Sequence, residues 1–336
     1  MIKTITTDVA IIGAGPIGIF STFQAGMLGM KSCIIDALDT PGGQCSILYP
    51  EKPIYDVPAY PKIFAQELID NLVKQANPFK PKYLMSRQVT FLDYKKDHFV
   101  LFTSKEDVIK AKTVLIAAGA GSFGPNRPPL KGIKSYENKS VFYQVSKIES
   151  FFGKNIVIAG GGDSAIDWTI SLSSKCNVSL VHRRTKFRAA PANVQKIYKL
   201  ANLGKINLIT NFQLSELKGK NGILEEVIVE NFDGKKKYIK ADILLPFFGL
   251  SQNLGPLLDF GLDTKANYIK SNYPYFETNI SGIYAVGDIT TYVGKLKLIL
   301  TGFSEVSSAL HHAYSRVFSG KPLHFEYSTS KMADKK

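Results

Sequence analysis

Two stretches of the sequence carry glycines at a spacing suited to holding phosphate. In "VAIIGAGPIGIF", Gly13-x-Gly15-x-x-Gly18 follows an apolar, β-branched run; in "NIVIAGGGDSAIDW", Gly160-x-Gly162-x-x-Ala165 follows another. Glycine allows a tight turn and a close approach of the backbone to a pyrophosphate. The helix that follows offers free N–H groups and the positive end of its dipole. The two stretches differ at the end of the next strand. "SCIID" closes on Asp36, 23 residues after Gly13, where a carboxylate accepts hydrogen bonds from a ribose 2′-hydroxyl. The same offset from Gly160 reaches Arg183, inside "HRRTKFR", with Arg188 close behind. A carboxylate there would repel a 2′-phosphate, whereas guanidinium groups bind it in a bidentate, charge-assisted way. The first loop therefore suits a dinucleotide with a free 2′-hydroxyl, such as FAD. The second suits NADP(H) over NAD(H). The bland alternatives are a glycine turn that merely packs a helix on a sheet and a solvated basic loop. The flanking strands and the shared offset weigh against both.

These residues need strand–turn–helix–strand units to hold them. "TDVAIIGAG", "IFSTFQAGMLGM" and "SCIID" supply the first; "KNIVIAGGG", "SAIDWTISLSSK" and "NVSLVHRR" supply the second. Between them, "PGGQCSILYPEKPIYDVPAYP" is rich in proline, glycine and aromatics. It reads as loop, fit to form a rigid wall for a flat ligand. "KIFAQELIDNLVKQA" follows, with Phe64, Leu68, Leu72 and Ala76 at helical spacing. "RQVTFLDY", "HFVLFTS" and "TVLIAAGAG" read as strands. The second unit ends at "ADILLPFFGLSQN". Then "SGIYAVGDITTY" forms a strand closing on Gly287-Asp288, and a last helix places Val306, Leu310, Ala313 and Val317 on one face. The simplest assembly is one nucleotide domain, 1–120 plus 251–336, interrupted by another, 121–250.

A chain of 336 residues is too long for one ordinary core, which agrees with two domains. Hydrophobic residues make up 45% and charged residues 21%, a globular balance, and "STSKMADKK" reads as a polar tail. No apolar run approaches the ~20 residues that span a bilayer. The first apolar stretch carries Asp8 and a glycine motif, so it is poor as a signal peptide. The chain is expected to be soluble and cytoplasmic, with no membrane role. The net charge of +14 admits an acidic protein partner. The lysines are scattered and no nucleic-acid motif is present, so nucleic acid is not expected. Cys33, Cys45 and Cys176 form no CxxC pair, which points to buried or free thiols and to no metal site. The five histidines are dispersed apart from His311-His312, neighbours that face different directions on a helix. No acid–base residue is expected to be catalytic.

Together, GAGPIG with Asp36, GGQ at 42–44, GGGDSA at 160–165, HRRTKFRA at 182–189 and AVGD at 285–288 resemble the flavoprotein pyridine-nucleotide oxidoreductases of the thioredoxin reductase type. The resemblance spans nearly the whole chain. It implies an α/β fold of two Rossmann-like three-layer dinucleotide-binding domains in a thioredoxin reductase-like architecture, with FAD in the outer domain and NADPH in the inner one. One departure stands out. Where that family carries a redox CxxC, this chain reads "SVFYQVSKIESFFGK". The glutathione-reductase relatives have two cysteines five positions apart after the first loop; here Cys45 fills the first place and Pro50 the second. Neither dithiol can form, so electrons must leave the flavin directly.

Within the family, "GGQCSILYPEKPIYDVPAYPKI" and "STS" at 328–330 resemble the thioredoxin-reductase-like ferredoxin–NADP+ reductases. For FAD, that resemblance places Gly13, Gly15 and Ile17 along the pyrophosphate and Asp36 at the adenosine ribose. Gln44 would lie on the flavin side, with Tyr49 stacked on the isoalloxazine. Val89 would contact the adenine part, Phe123 would line the site, and Asp288 would hold the ribityl or pyrophosphate region. Thr329 would reach the flavin, that of the other subunit if the protein is a homodimer. For NADP(H) it implies Gly160, Gly162, Asp163, Ser164, Ala165, His182, Arg183, Arg184 and Arg188. The activity implied takes a hydride from NADPH and gives single electrons to ferredoxin or flavodoxin, acidic carriers that a basic protein attracts. The runner-up is an NADPH-dependent reductase of the same fold serving a quinone, a metal complex or an external disulfide protein. A non-enzymatic nucleotide sensor is disfavoured by intact glycines at both loops.

Overall fold

Strand β1 (Thr4–Ile12) alternates exposed and buried residues at first, and then buries Val9 to Ile12 without a break. That is the pattern of a strand covered on both faces of a parallel sheet. The computed structural model to which it belongs describes residues 4–145 and 147–323. From β1 the chain turns into α1 (Pro16–Met27) and returns along β2 (Ser32–Ile35), parallel to β1. The stretch expected to be all loop contains one helical turn, α2 (Gln44–Ile47), and a two-residue pairing of Pro53–Ile54 with Ile63–Phe64. Helix α3 (Ala65–Ala76) comes next, burying Ala65, Leu68, Ile69, Leu72 and Ala76. Phe64 does not join this stripe. It is extended (ψ 148°), ahead of the first turn, so its side chain leaves the helical face and is 42% exposed.

Strands β3 (Lys82–Leu84), β4 (Val89–Tyr94), β5 (Phe99–Thr103) and β6 (Val108–Ile116) complete the first passage, in the sheet order β3-β2-β1-β6-β5-β4. The segments Ser122–Pro125 and Leu250–Asn253 pair as a two-stranded ribbon where the chain leaves and re-enters this region. The chain divides into two compact units, Met1–Phe123 with Gln252–Lys336, and Gly124–Ser251.

The inner unit repeats the opening theme. Strand β7 (Asn155–Gly160), helix α4 (Asp163–Leu172), strand β8 (Asn177–His182), helix α5 (Pro191–Asn202) and strand β9 (Ile206–Thr210) are followed by an antiparallel meander. The meander comprises β10 (Gln213–Lys220), β11 (Ile223–Glu230) and β12 (Lys236–Lys240); β13 (Ile243–Phe247) ends the unit. The parallel sheet runs β9-β8-β7-β13. Val227 and Val229 of the meander pack on Val157, Val181 and Leu244 of that sheet.

Back in the outer unit, β14 (Ile283–Ala285) lies parallel to the C-terminal half of β6, whose N-terminal half pairs antiparallel with β5. Helix α6 (Ile299–Val317) buries Val306, Leu310, Ala313 and Val317 as their spacing predicts. Each of the valine and leucine side chains contributes about 1.5–3 kcal/mol on full burial. Residues of α1, α3 and α6 cover one sheet face, with Val9, Ile11, Ile34 and Leu115. Residues of β4, β5 and 254–262 cover the other, with Ala10, Ile12, Cys33 and Ile35. Among the described residues, no helix is long and apolar enough to cross a membrane.

Candidate functional site

The turn between β1 and α1 is closed on one side and open on the other. Gly13 has φ +106°, and a methyl group on it would come within 2.4 Å of the Ala117 carbonyl oxygen. On Gly18 it would lie 1.8 Å from the Gly13 oxygen, so α1 rests directly on the turn. A methyl group on Gly15 would meet nothing within 4 Å. Pro16 opens the helix where its missing N–H costs nothing, and first-turn N–H groups have no carbonyl partner inside a helix. The result is a cradle of backbone donors facing open space, the form a pyrophosphate requires.

Asp36 closes this cradle from the end of β2. Its Oδ2 accepts the Ala14 N–H at 2.5 Å and its Oδ1 the Leu38 N–H at 2.8 Å. Burial raises its proton affinity above the ordinary carboxylate value, against those two hydrogen bonds. Val89 lies in β4 with its side chain in the core. It follows a segment that runs beside Asp36, since the Arg87 N–H donates to the Asp36 carbonyl at 2.8 Å. The GGQ turn folds onto the cradle: the Gly42 N–H donates to the Ala14 carbonyl at 2.7 Å, and a methyl group on Gly43 would be 3.1 Å from Gly15 Cα. Gln44 faces Gly119, its Nε2 being 3.7 Å from where a Cβ would stand. Tyr49 Oη and Cys45 Sγ are 3.9 Å apart. Burial foremost, and the Asp288 charge with it, pushes the Cys45 thiol up to about 11. Burial also raises the Tyr49 hydroxyl, with Cys45 and Asp288 adding to it. Asp288 itself is exposed.

Ile17 packs against Gly287, so α1 and the AVGD turn meet. Beneath that turn lies a group that the sequence analysis missed. Glu305 of α6, 1% exposed, accepts the Gly287 N–H at 2.6 Å, the Tyr292 hydroxyl at 2.6 Å and the Lys295 ammonium. The available signal was a carboxylate in the Gly302–Glu305–Ala309 row of an otherwise apolar helix face. The fold thus gathers Gly13, Gly15, Ile17, Asp36, Gln44, Tyr49 and Asp288, while Val89 stands two residues beyond the Arg87 N–H that reaches the Asp36 carbonyl. The side chain of Phe123 and the whole of Thr329 lie outside the described residues.

In the inner unit, a methyl group on Gly160 would meet Phe247 O at 2.7 Å and Ala165 Cβ at 2.9 Å. Gly162 is the N-cap of α4, and Asp163 and Ser164 in its first turn are exposed. Asp163 Oδ1 accepts the Ala190 N–H at 2.9 Å, and the Arg188 N–H donates to the Gly161 carbonyl at 2.7 Å. The His182 ring occupies the space a side chain at 161 would fill, 2.1 Å from that Cβ position at its Cε1. Arg183, Arg184 and Arg188 are all exposed. Burial foremost, with those three charges, holds the His182 imidazole below its ordinary proton affinity, although a hydrogen bond to the Lys186 backbone opposes this. The result is a helix N-terminus beside a fan of guanidinium groups, suited to a phosphorylated ribose.

The sequence profile of the pyridine nucleotide-disulphide oxidoreductases matches residues 7–313. The chain belongs to that family. Members named ferredoxin–NADP reductase are close in sequence. That of Rickettsia akari is 58% identical over 331 residues, 98% of this chain and 99% of the other. That of Rickettsia canadensis is 59% identical over 326 residues, 97% of each. Among solved structures, the thioredoxin reductases of T. acidophilum and Lactococcus lactis superpose with TM-scores of 0.82 and 0.81. Both are 26% identical and cover 93% of this chain and 99% of theirs. The fold is that of thioredoxin reductase, and the chain is a flavoprotein oxidoreductase linked to a pyridine nucleotide.

For this family, the cysteines are the departure. All three are buried and unpaired. Cys33 packs into the core on one face of the outer sheet and Cys45 on the other, while Cys176 lies in the inner unit at 3.2 Å from the Phe151 carbonyl. No two can meet as a redox dithiol without unfolding a core.

Proposed function

We propose that the chain carries electrons between NADP(H) and a ferredoxin or flavodoxin through FAD. The observation that carries this is the contrast between the two cradles: a carboxylate, Asp36, closes one, and three exposed arginines flank the other. In this proposal Gly13, Gly15 and Ile17 hold the FAD pyrophosphate and Asp36 its ribose. Gln44, Tyr49 and Asp288 bound the flavin end, and Val89 the adenine. Phe123 and Thr329 are added on family resemblance, the latter across a homodimer. Gly160 and Gly162, with Asp163, Ser164 and Ala165 at the head of α4, hold the NADP pyrophosphate. Arg183, Arg184 and Arg188 take the 2′-phosphate, with His182 beside them in the same NADP site. The outer unit is then the FAD domain and the inner one the NADP domain of a cytoplasmic enzyme.

Bound FAD supplies the exchange of a hydride with nicotinamide and of single electrons with the acceptor. The protein's part is to bind, orient and exclude. The Gly15 opening admits the pyrophosphate, and Asp36 holds the loop through the Ala14 N–H. Glu305 fixes the turn that presents Asp288. The three buried thiols leave no disulfide relay, so the acceptor must draw directly on the cofactor.

The test is anaerobic. The purified protein is reduced with NADPH, then mixed with oxidised ferredoxin and, separately, with thioredoxin. Rapid reoxidation by ferredoxin and none by thioredoxin is expected. Reduction with no reoxidation by ferredoxin or flavodoxin would discard the acceptor while keeping the two nucleotides.

A further inference from the structure

The arginines of the inner unit stand on a loop whose inward-facing residue is not charged. Phe187, 7% exposed, lies between Lys186 and Arg188, both of which are exposed. Its ring stacks on His182, with centroids 5.0 Å apart and planes at 22°. Tyr198 of α5 also meets it, edge-on at 6.3 Å. The Tyr198 hydroxyl also donates to the Thr185 carbonyl at 3.4 Å, in the middle of the basic loop. His182 in turn fills the space above Gly161. A column of three rings therefore runs from the glycine turn to α5, and the loop 183–188 is fastened to it through Phe187 and the Thr185 carbonyl. Its far end is tied by Arg188 N–H to Gly161 O.

An exposed arginine keeps several rotatable bonds, and its backbone is all that its surroundings can hold still. Where the three Cα atoms stand decides whether their guanidinium groups converge on one phosphate. The column sets those positions. Burial, and the neighbouring arginines with it, disfavour the protonated form of His182, whose flat ring stacks on Phe187.

We propose that Phe187, braced by His182 and Tyr198, is a specificity-determining positioning residue. It sets the spread of Arg183, Arg184 and Arg188, so discrimination for the 2′-phosphate depends on a side chain that need not touch it. This rests on the assignment of the arginines to the 2′-phosphate, and the test separates the two.

Calorimetric titration of the full chain with 2′,5′-ADP and with 5′-AMP reads the 2′-phosphate alone, without turnover. Phe187→Leu is expected to weaken 2′,5′-ADP binding about tenfold and to leave 5′-AMP within about twofold. Tyr198→Ala removes the half-exposed outer ring without opening the core. It should weaken 2′,5′-ADP about threefold, again sparing 5′-AMP. Arg183→Ala with Arg184→Ala is the control and should lose 2′,5′-ADP selectively. If that control loses selectivity while both ring variants keep it, the column is packing and the proposal fails. Equal losses of both ligands in the ring variants would overturn it too. If the arginine control itself keeps full selectivity, the 2′-phosphate assignment falls, and the proposal with it.

Discussion

A single ring nitrogen ties charge to stability at the second glycine loop. His182 ends β8 half-buried over Gly161, and its imidazole binds protons less readily than an ordinary histidine, because of burial first and the three arginines second. In the unfolded chain the same residue titrates at about 6.5. Between that value and the lower one of the folded state, the unfolded chain holds more protons. Stability therefore rises with pH across this window and is lost as pH falls through it. The melting temperature is expected to fall between pH 7 and pH 5, and His182→Gln should flatten that fall whatever it does to the melting temperature at pH 7. An unchanged slope in the variant would show that the imidazole is not the group responsible. Asp36 has the opposite setting. Its raised proton affinity reflects burial, and the Ala14 and Leu38 N–H groups hold the carboxylate ready as an acceptor.

At the scale of elements, the two glycine loops are the same motif under different tension. Helix α1 sits so close to its turn that a methyl group on Gly18 would overlap Gly13 O at 1.8 Å. Helix α4 already carries a methyl group there, Ala165, next to a Gly160 that cannot accept one. Gly18→Ala is expected to push α1 off the cradle and to cost about 1–3 kcal/mol, with weakened flavin retention. Ala165→Gly should cost about 1 kcal/mol, mainly from helix propensity, and leave the flavin in place. Denaturant titration and flavin release measure both; a Gly18→Ala protein that kept its flavin and its stability would contradict the close packing. Most elements were legible in the sequence because period and punctuation are local. The runs around Gly13 and Gly160 became β1-α1-β2 and β7-α4-β8, and the α6 stripe fell where its spacing put it. What escaped was set by tertiary contact. Phe64 fits the helical spacing of α3 but precedes its first turn. Glu305 reads as a surface charge until its three donors, 10, 13 and 18 positions away, fold back on it. The ring column joins residues from a strand end, a loop and α5, none of which marks the others in sequence.

The whole molecule carries its charge unevenly. Residues 124–251 hold 20 lysines and arginines against 10 aspartates and glutamates, so this stretch supplies +10 of the net +14. The local pairs on the meander, Lys218 with Glu226 and Lys236 with Glu230, at 3.7 and 3.9 Å, are each neutral and leave that excess intact. Such exposed pairs stabilise little, and the excess is a long-range positive field. The field reaches an approaching acidic carrier over roughly 30 Å at 10 mM salt but only about 8 Å at 150 mM. If the acceptor is an acidic protein, kcat/KM for it should fall by about tenfold or more over that range, through the association rate. A neutral quinone taking electrons from the same protein feels no such field, and its kcat/KM should stay within about twofold. Flavin reoxidation at several ionic strengths separates the two. Parallel salt profiles for ferredoxin and quinone would mean that the basic surface does not steer the partner. A steep profile for ferredoxin alone would give the excess positive charge a kinetic role that no individual residue of either glycine loop supplies.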